Sequence, residues 1–341
     1  MHAKKGAARM THDFAKEYIT LFADNFQLVK KEFTWQNALT KRLAALLYAQ
    51  EGRGADCEAM RRCHDIIKQN TGVFSTFRGN MALCVAALLS LSPNPEALFA
   101  ETLKVYELLK AAKFRASDFL VVSAYQIAAQ AAAADYPRVV KRTRDFYEHM
   151  NAHHFFQTGQ DDYIFAALLG LSDLDATAGT DRMERLYVRL KDEFWNRNSV
   201  QALTQVLVLG GSDDEVVQRV LSLRDALRAE KIKLDKAYTL PTLGVLTLLP
   251  IDTETVVRDI DEAQATLRDQ KGFGSMSLTK QELLLFAASL VAGRYAHGVK
   301  DGLLTATLST SITSIIIAQE AAMVAAMASA AAAASSSSAS S

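Results

Sequence analysis

The residues best placed to do chemistry are His149, His153 and His154, followed by Asp161 and Asp162. His149 and His153 are four apart, so a helix would carry both imidazoles on one face. The two carboxylates could then come round a turn as further ligands, giving a metal site of the kind a hydrolase uses. The same pattern has a plain structural account. Histidines end an amphipathic helix, and acidic residues open the next one, where the amide-rich first turn favours negative charge. This account is the stronger, so no catalytic, metal or cofactor-binding residue is assigned.

Other candidates are weaker. Cys57, Cys63 and His64 fall on one helix at no zinc-site spacing, and Cys84 sits in an apolar run as a small core residue. The chain lacks the phosphate-binding GxxxxGK[ST] motif, HExxH, GxSxG and any CxxC pair. Gly210-Gly211-Ser212 follows a helix and lacks the lysine of a phosphate loop, so it is expected to end that helix. Thr279-x-x-Glu282 matches a capping box, and Asp118, Asp162 and Ser199 sit near starts of buried helices, as caps or as a polar binding rim.

The elements that must position these residues are helices. The segment Thr158 to Asp175, TGQDDYIFAALLGLSDLD, opens with a Thr158-x-x-Asp161 start signal, and Ile164, Phe165, Leu168, Leu169 and Leu171 make it apolar nearly all round. From about Thr180 to Trp195 a second helix is amphipathic, with Met183, Leu186, Tyr187, Leu190 and Phe194 on one face. This buried-then-amphipathic hairpin recurs. Ala/Leu-rich centres begin at Ala44, Ala86, Ala128, Ala166, Val206, Gly244 and Ala287, in steps of 42, 42, 38, 40, 38 and 43 residues. Apolar anchors of the second helix fall at Ile67, Leu109, Met150, Leu190, Leu227 and Leu267, each followed by a large apolar closing residue: Val73, Phe114, Phe155, Trp195, Ile232 and Phe273. Two markers with one beat predict an all-α, α-solenoid-like array of about six hairpins, because one hairpin cannot cover its own apolar face.

Composition agrees with a packed helical chain. Half of the 341 residues are hydrophobic and 22% are charged. The 38 basic residues balance the 38 acidic ones, which disfavours duplex nucleic acid as an obligatory partner. The local run Arg138, Lys141, Arg142 and Arg144 is expected to be a solvated helix face. An odd cysteine count and the absence of an apolar leader in MHAKKGAARM fit a cytoplasmic protein with reduced thiols. Residues 1–10 are expected to be a disordered start, 11–302 the array, and 303–341 an Ala/Ser-rich helix with a disordered end.

That last segment differs in kind: its one charge is Glu320, set among Ile312, Ile315, Ile316, Ile317, Met323, Val324 and Met327. Four Ile and one Val favour bilayer insertion by about 2 to 3 kcal/mol, and one central carboxylate opposes it by about 3. A transmembrane helix is therefore not expected. The segment is expected to pack on the array or on a second copy, with peripheral membrane contact as an alternative.

The segment TGQDDYIFAALLGLSDLD, the opening LFADNFQLVKKEFTW and the tail IIIAQEAAMVAAMASAAAAASSSS together resemble a family of bacterial helical proteins, mostly from Gram-positive organisms, described only as a domain of unknown function. The resemblance implies an all-helical bacterial protein and supplies no catalytic residues. The expected function is a non-catalytic interaction or assembly scaffold with a protein partner or self-association. A metal-dependent enzyme using His149, His153 and Asp161, or membrane-surface attachment through the tail, is the alternative.

Overall fold

The computed structural model describes residues 2–153, 158–211, 215–236, 239–249, 251–296 and seven positions between 317 and 325, with side chains from residue 16 onward and without that of residue 153. Among these residues there are fourteen α-helices up to Ala296, besides the helical tail positions, and no strand. Seven form an inner layer: α2 (Ala38–Gln50), α4 (Ala82–Ser90), α6 (Asp118–Gln130), α8 (Tyr163–Leu171), α10 (Arg197–Leu209), α12 (Leu240–Leu248) and α14 (Lys280–Ala296). Seven form an outer layer: α1 (His2–Glu32), α3 (Cys57–Asn70), α5 (Pro95–Ala111), α7 (Tyr136–His153), α9 (Ala176–Leu190), α11 (Val216–Ala229) and α13 (Thr253–Arg268). The first outer helix thus opens upstream of the Thr11 start that the periodicity pointed to.

The inner helices are buried all round. Every residue of α2 from Thr40 to Gln50 is buried, as is every residue of α8 from Tyr163 to Gly170. Each of the seven Ala/Leu centres lies in an inner helix, and all six anchors are buried. The closing residues divide. Phe114, Ile232 and Phe273 are buried, but Val73 and Trp195 are exposed, and Phe155 lies outside the described residues. In the second hairpin a 3-10 turn at Thr76–Arg78 brings Phe77 into the core instead, edge-on to Phe99 and Tyr106. In the fifth, Phe194 takes the inward position under the Arg224 guanidinium, which sends its neighbour Trp195 out.

Local start signals explain where helices begin. The side chains of Asn37, Asp56, Asn94, Ser117, Asp175, Asn196 and Asp252 each accept a bond from an amide three residues on, satisfying an otherwise unpaired first-turn N–H. Ser117 and Asn196 are therefore the caps, rather than Asp118 and Ser199. The Thr279–Glu282 capping box forms with both its bonds. Gly210 ends α10, and Gly211 follows at φ 64°, as a left-handed helix terminus requires; Ser212 lies outside the described residues.

The hairpin array closes on itself. Helix α14 packs against α2, and α13 packs against α1, so the last hairpin meets the first. Phe22 and Phe26 of α1 meet Phe273 at ring-centroid distances of 5.0 and 5.2 Å, and Phe22 also meets Phe286 of α14. Buried Arg42 on α2 donates from Nη2 to the carbonyls of Gly272 (2.9 Å) and Ser277 (3.2 Å), and its guanidinium lies over Phe26. Gly272 has φ 87°, and a Cβ there would stand 2.8 Å from the Phe26 ring, so both conformation and space call for glycine. The result is a ring of seven hairpins. It keeps the repeat logic of a solenoid, and closure removes both open ends.

Candidate functional site

The best-built polar cluster on the ring lies where the fourth hairpin meets the fifth, around Asp162. This residue ends a 3-10 turn, Gln160–Asp162, that leads into α8. The turn shifts the expected start signal by one residue, so that Asp162 Oδ2, not Asp161, accepts the backbone N–H, from Gly159 at 2.8 Å. Its Oδ1 accepts from Gln205 Nε2 at 2.6 Å and Gln201 Nε2 at 3.2 Å, both on α10. Gln201 also reaches Thr158 Oγ1, and Gln205 reaches Met150 Sδ.

The carboxyl is 4% exposed. Burial, helped by the nearby Asp161 charge, raises its pKa to about 7, against the lowering pull of the Gly159, Gln205 and Gln201 donors. Three donors suit the ionised form. The Oε1 atoms of Gln201 and Gln205 have no hydrogen-bond partner, so turning either amide over would offer a carbonyl to the protonated acid. The cluster can therefore serve both protonation states near neutrality.

The predicted histidine and aspartate set does not assemble into a metal centre among the described residues. Asp161 and Asp162 are adjacent in sequence but part in space: Asp162 turns inward, whereas Asp161 is half-buried and accepts from Asn198 at 3.0 Å. His149 is half-buried on α7. The His153 side chain and all of His154 lie outside the described residues. Among the described residues no three His, Cys, Asp or Glu side chains converge on one point. Cys57, Cys63 and Cys84 are free thiols, and burial raises the pKa of each. The basic run on α7 is engaged within the hairpin. Arg138, Lys141 and Arg144 pair with Asp135, Asp145 and Glu148, and Arg142 donates to the carbonyls of Gly170, Ser172 and Leu174 at the end of α8.

The polar rim expected at the inner-helix starts serves to join neighbours. Thr40 Oγ1 donates to Asn80 O, Asn80 to Asp118, Asn198 to Asp161, and Gln281 to Thr239, each bond linking one hairpin to the next. On the same edge, the outer-to-inner connections carry Trp35, Val73, Phe74, Trp195 and Met276, which are 69 to 102% exposed. On the opposite edge, no large apolar side chain among the described residues is exposed.

A second buried carboxyl comes from the tail. The described positions 317–325 are helical, and Ala318, Glu320, Ala321, Val324 and Ala325 are no more than 1% exposed. Glu320 Oε1 accepts from Gln50 Nε2 at the end of α2, at 2.8 Å. Burial raises its pKa to about 8, while Ser289 on α14 and Gln50 pull it down. The described tail is thus covered by the array rather than presented to a membrane. The rest of the Ile312–Met327 stripe lies outside the described residues. Among the described residues no helix is long and apolar enough to cross a membrane.

Of these residues, only Asp162 and Glu320 stood out in the sequence. Gln201 and Gln205 did leave a trace, two glutamines four apart in the otherwise apolar QALTQVLVL, a spacing that puts both amides on one helix face. Gln50 left none.

Comparison with known proteins identifies a family and is silent on activity. No curated protein matches the chain, and no solved structure matches it. A family model described as "Protein of unknown function (DUF4003)" matches residues 25–321, from the last turns of α1 through α14 to the buried tail position Glu320. The chain belongs to this family.

Proposed function

We propose that this protein is a non-catalytic interaction scaffold whose contact surface is the ring edge formed by the outer-to-inner connections. The observation that carries this reading is the one-sided placement of Trp35, Val73, Phe74, Trp195 and Met276. Met276, Trp35 and the Val73-Phe74 pair belong to three successive hairpins around the ring, the last, first and second. Large exposed apolar and aromatic side chains gathered on one face mark a protein contact, because their hydration is unfavourable and aromatic anchors dominate such interfaces. Several polar groups of this edge bond to neighbouring hairpins, and the exposed apolar side chains stand among exposed charged ones such as Arg115, Asp192 and Lys271. Three free thiols accord with action in a reducing compartment such as the cytoplasm.

Photo-crosslinking in the native cell tests the reading. A photoreactive phenylalanine analogue is placed singly at Trp35, Phe74, Trp195 and Met276, and for comparison at Glu51, Asn94 and Asp173 on the opposite edge. Discrete crosslinked protein species from the first set alone are expected. Equal crosslinking from both edges, or none from either, would overturn the proposal.

A further inference from the structure

The described tail residues are buried against the inner helices. Glu320 bonds Gln50 of α2, lies beside Ser289 of α14, and its charge acts on buried Cys84 of α4 and Tyr18 of α1. Gln50 and Ser289 place the carboxyl on the inner face where α2 meets α14, and its charge reaches α4, the next inner helix along the ring. Gly293 on α14 helps to make this arrangement possible. A Cβ there would stand 3.1 Å from Gln50 Cγ, so the missing side chain leaves room for the amide that reaches Glu320.

Three observations distinguish this segment from the helices around it. First, its buried face is small: Ala318, Ala321, Val324 and Ala325 take the place that Leu and Phe hold in the inner helices, and each alanine buries far less apolar area. Second, its polar hold is slight. Among the described residues Glu320 makes one bond of good geometry, to Gln50; the Ser289 hydroxyl is near enough to pull its pKa down, yet neither Ser289 Oγ nor Glu320 Oε2 completes a hydrogen bond there. No ion pair to Glu320 forms among the described residues, whereas the ring's own closure uses the Arg42 guanidinium. Third, the contacts of that closure run among Phe22, Phe26, Arg42, Gly272, Phe273, Ser277 and Phe286, with no described tail residue in them.

We propose that the inner face of the ring at α14, α2 and α4 is a peptide-binding site, recognising a helical segment of small apolar residues that carries one buried carboxyl, and that the described residues between 317 and 325 occupy it in cis as a displaceable plug. Gln50 is the recognition residue, and Ser289 offers a hydroxyl to the second carboxyl oxygen. The proposal stands without the edge contact proposed above. It assigns the tail a regulatory place, since any other occupant must first displace it.

The full chain tests this when a site-specific protease sequence is inserted after Gly302 and cut only after folding and purification. A fluorescent label at the C-terminus follows the released tail, and an unlabelled synthetic peptide of residues 303–341 serves as the chase. Three results are expected. The tail first stays associated, then exchanges with the peptide in a saturable one-to-one manner, and the ring keeps its helical signal throughout. A Glu320→Gln peptide should bind within about threefold of the parent, because the amide keeps a neutral acceptor for Gln50. A Glu320→Arg peptide should bind at least about 100-fold more weakly, since it buries an unpaired charge. Exchange that unfolds the ring would show the tail to be a structural part of the core. Absence of saturable binding, or equal binding of the arginine peptide, would also overturn the proposal.

Discussion

The two buried carboxyls, Asp162 and Glu320, solve one physical problem by different means. Both sit in glutamine company, and burial pushes both pKa values up, to about 7 and about 8. Asp162 is tied into the array: a backbone N–H and two amides hold it, and it shapes the turn into α8. Glu320 is tied by one amide, 270 residues away in sequence. Burying a carboxyl costs several kcal/mol unless it is neutral or well bonded, so the number of donors separates a fixed element from a removable one.

The sharpest way to break this comparison is to delete each carboxyl in turn. Asp162→Ala strands three donors and should lower unfolding free energy by about 3 kcal/mol in urea titration. Glu320→Ala, which leaves ring closure intact, should lower it by less than about 1 kcal/mol. Equal losses would mean that the tail is as much core as α8. Next in size is Arg42→Ala, which frees two buried carbonyls at the seam. It should cost about 2 kcal/mol and speed hydrogen exchange in α1 and α14 ahead of the rest of the ring.

Acidity sharpens the comparison further. The unfolded chain releases each of these protons at an ordinary carboxyl pKa, near 3.8 and 4.5, while the folded chain holds them to about 7 and about 8. Their contribution to stability is therefore full below pH 4. It falls as pH rises, and it is lost above pH 8. Denaturant midpoints measured across pH 4 to 9 should decline accordingly. Asp162→Asn should remove the part of the decline that ends near 7. Glu320→Gln should remove the part that extends to 8, where among the described residues Gln50 and Ser289 face the carboxyl and Tyr18 and Cys84 lie within reach of its charge. The smallest effect belongs to Gln50→Leu. It should leave the urea midpoint nearly unmoved yet make the tail measurably easier to cleave by protease.

Much of the fold was legible residue by residue. The beat of Ala44, Ala86, Ala128, Ala166, Val206, Gly244 and Ala287 found all seven inner helices, because helical burial repeats at short range and leaves its period in the chain. The closing residues were legible only where the connection keeps one length. At Val73 a 3-10 turn moved the inward position to Phe77, and at Trp195 a one-residue offset moved it to Phe194. The candidate sites were legible as isolated acids. Asp162 could not be told from Asp161, because one residue of turn geometry decides which of the two faces inward.

The sequence by itself determined that this protein is a run of helical hairpins with an anomalous tail bearing a single acid, since periodicity and composition are local properties. Only the tertiary structure decided that the run closes and that the tail packs against its inner helices. Closure depends on small rotations between hairpins that accumulate over the whole array until Arg42 meets Gly272, 230 residues away. No local pattern records that sum, and the site that receives Glu320 exists only once it is complete.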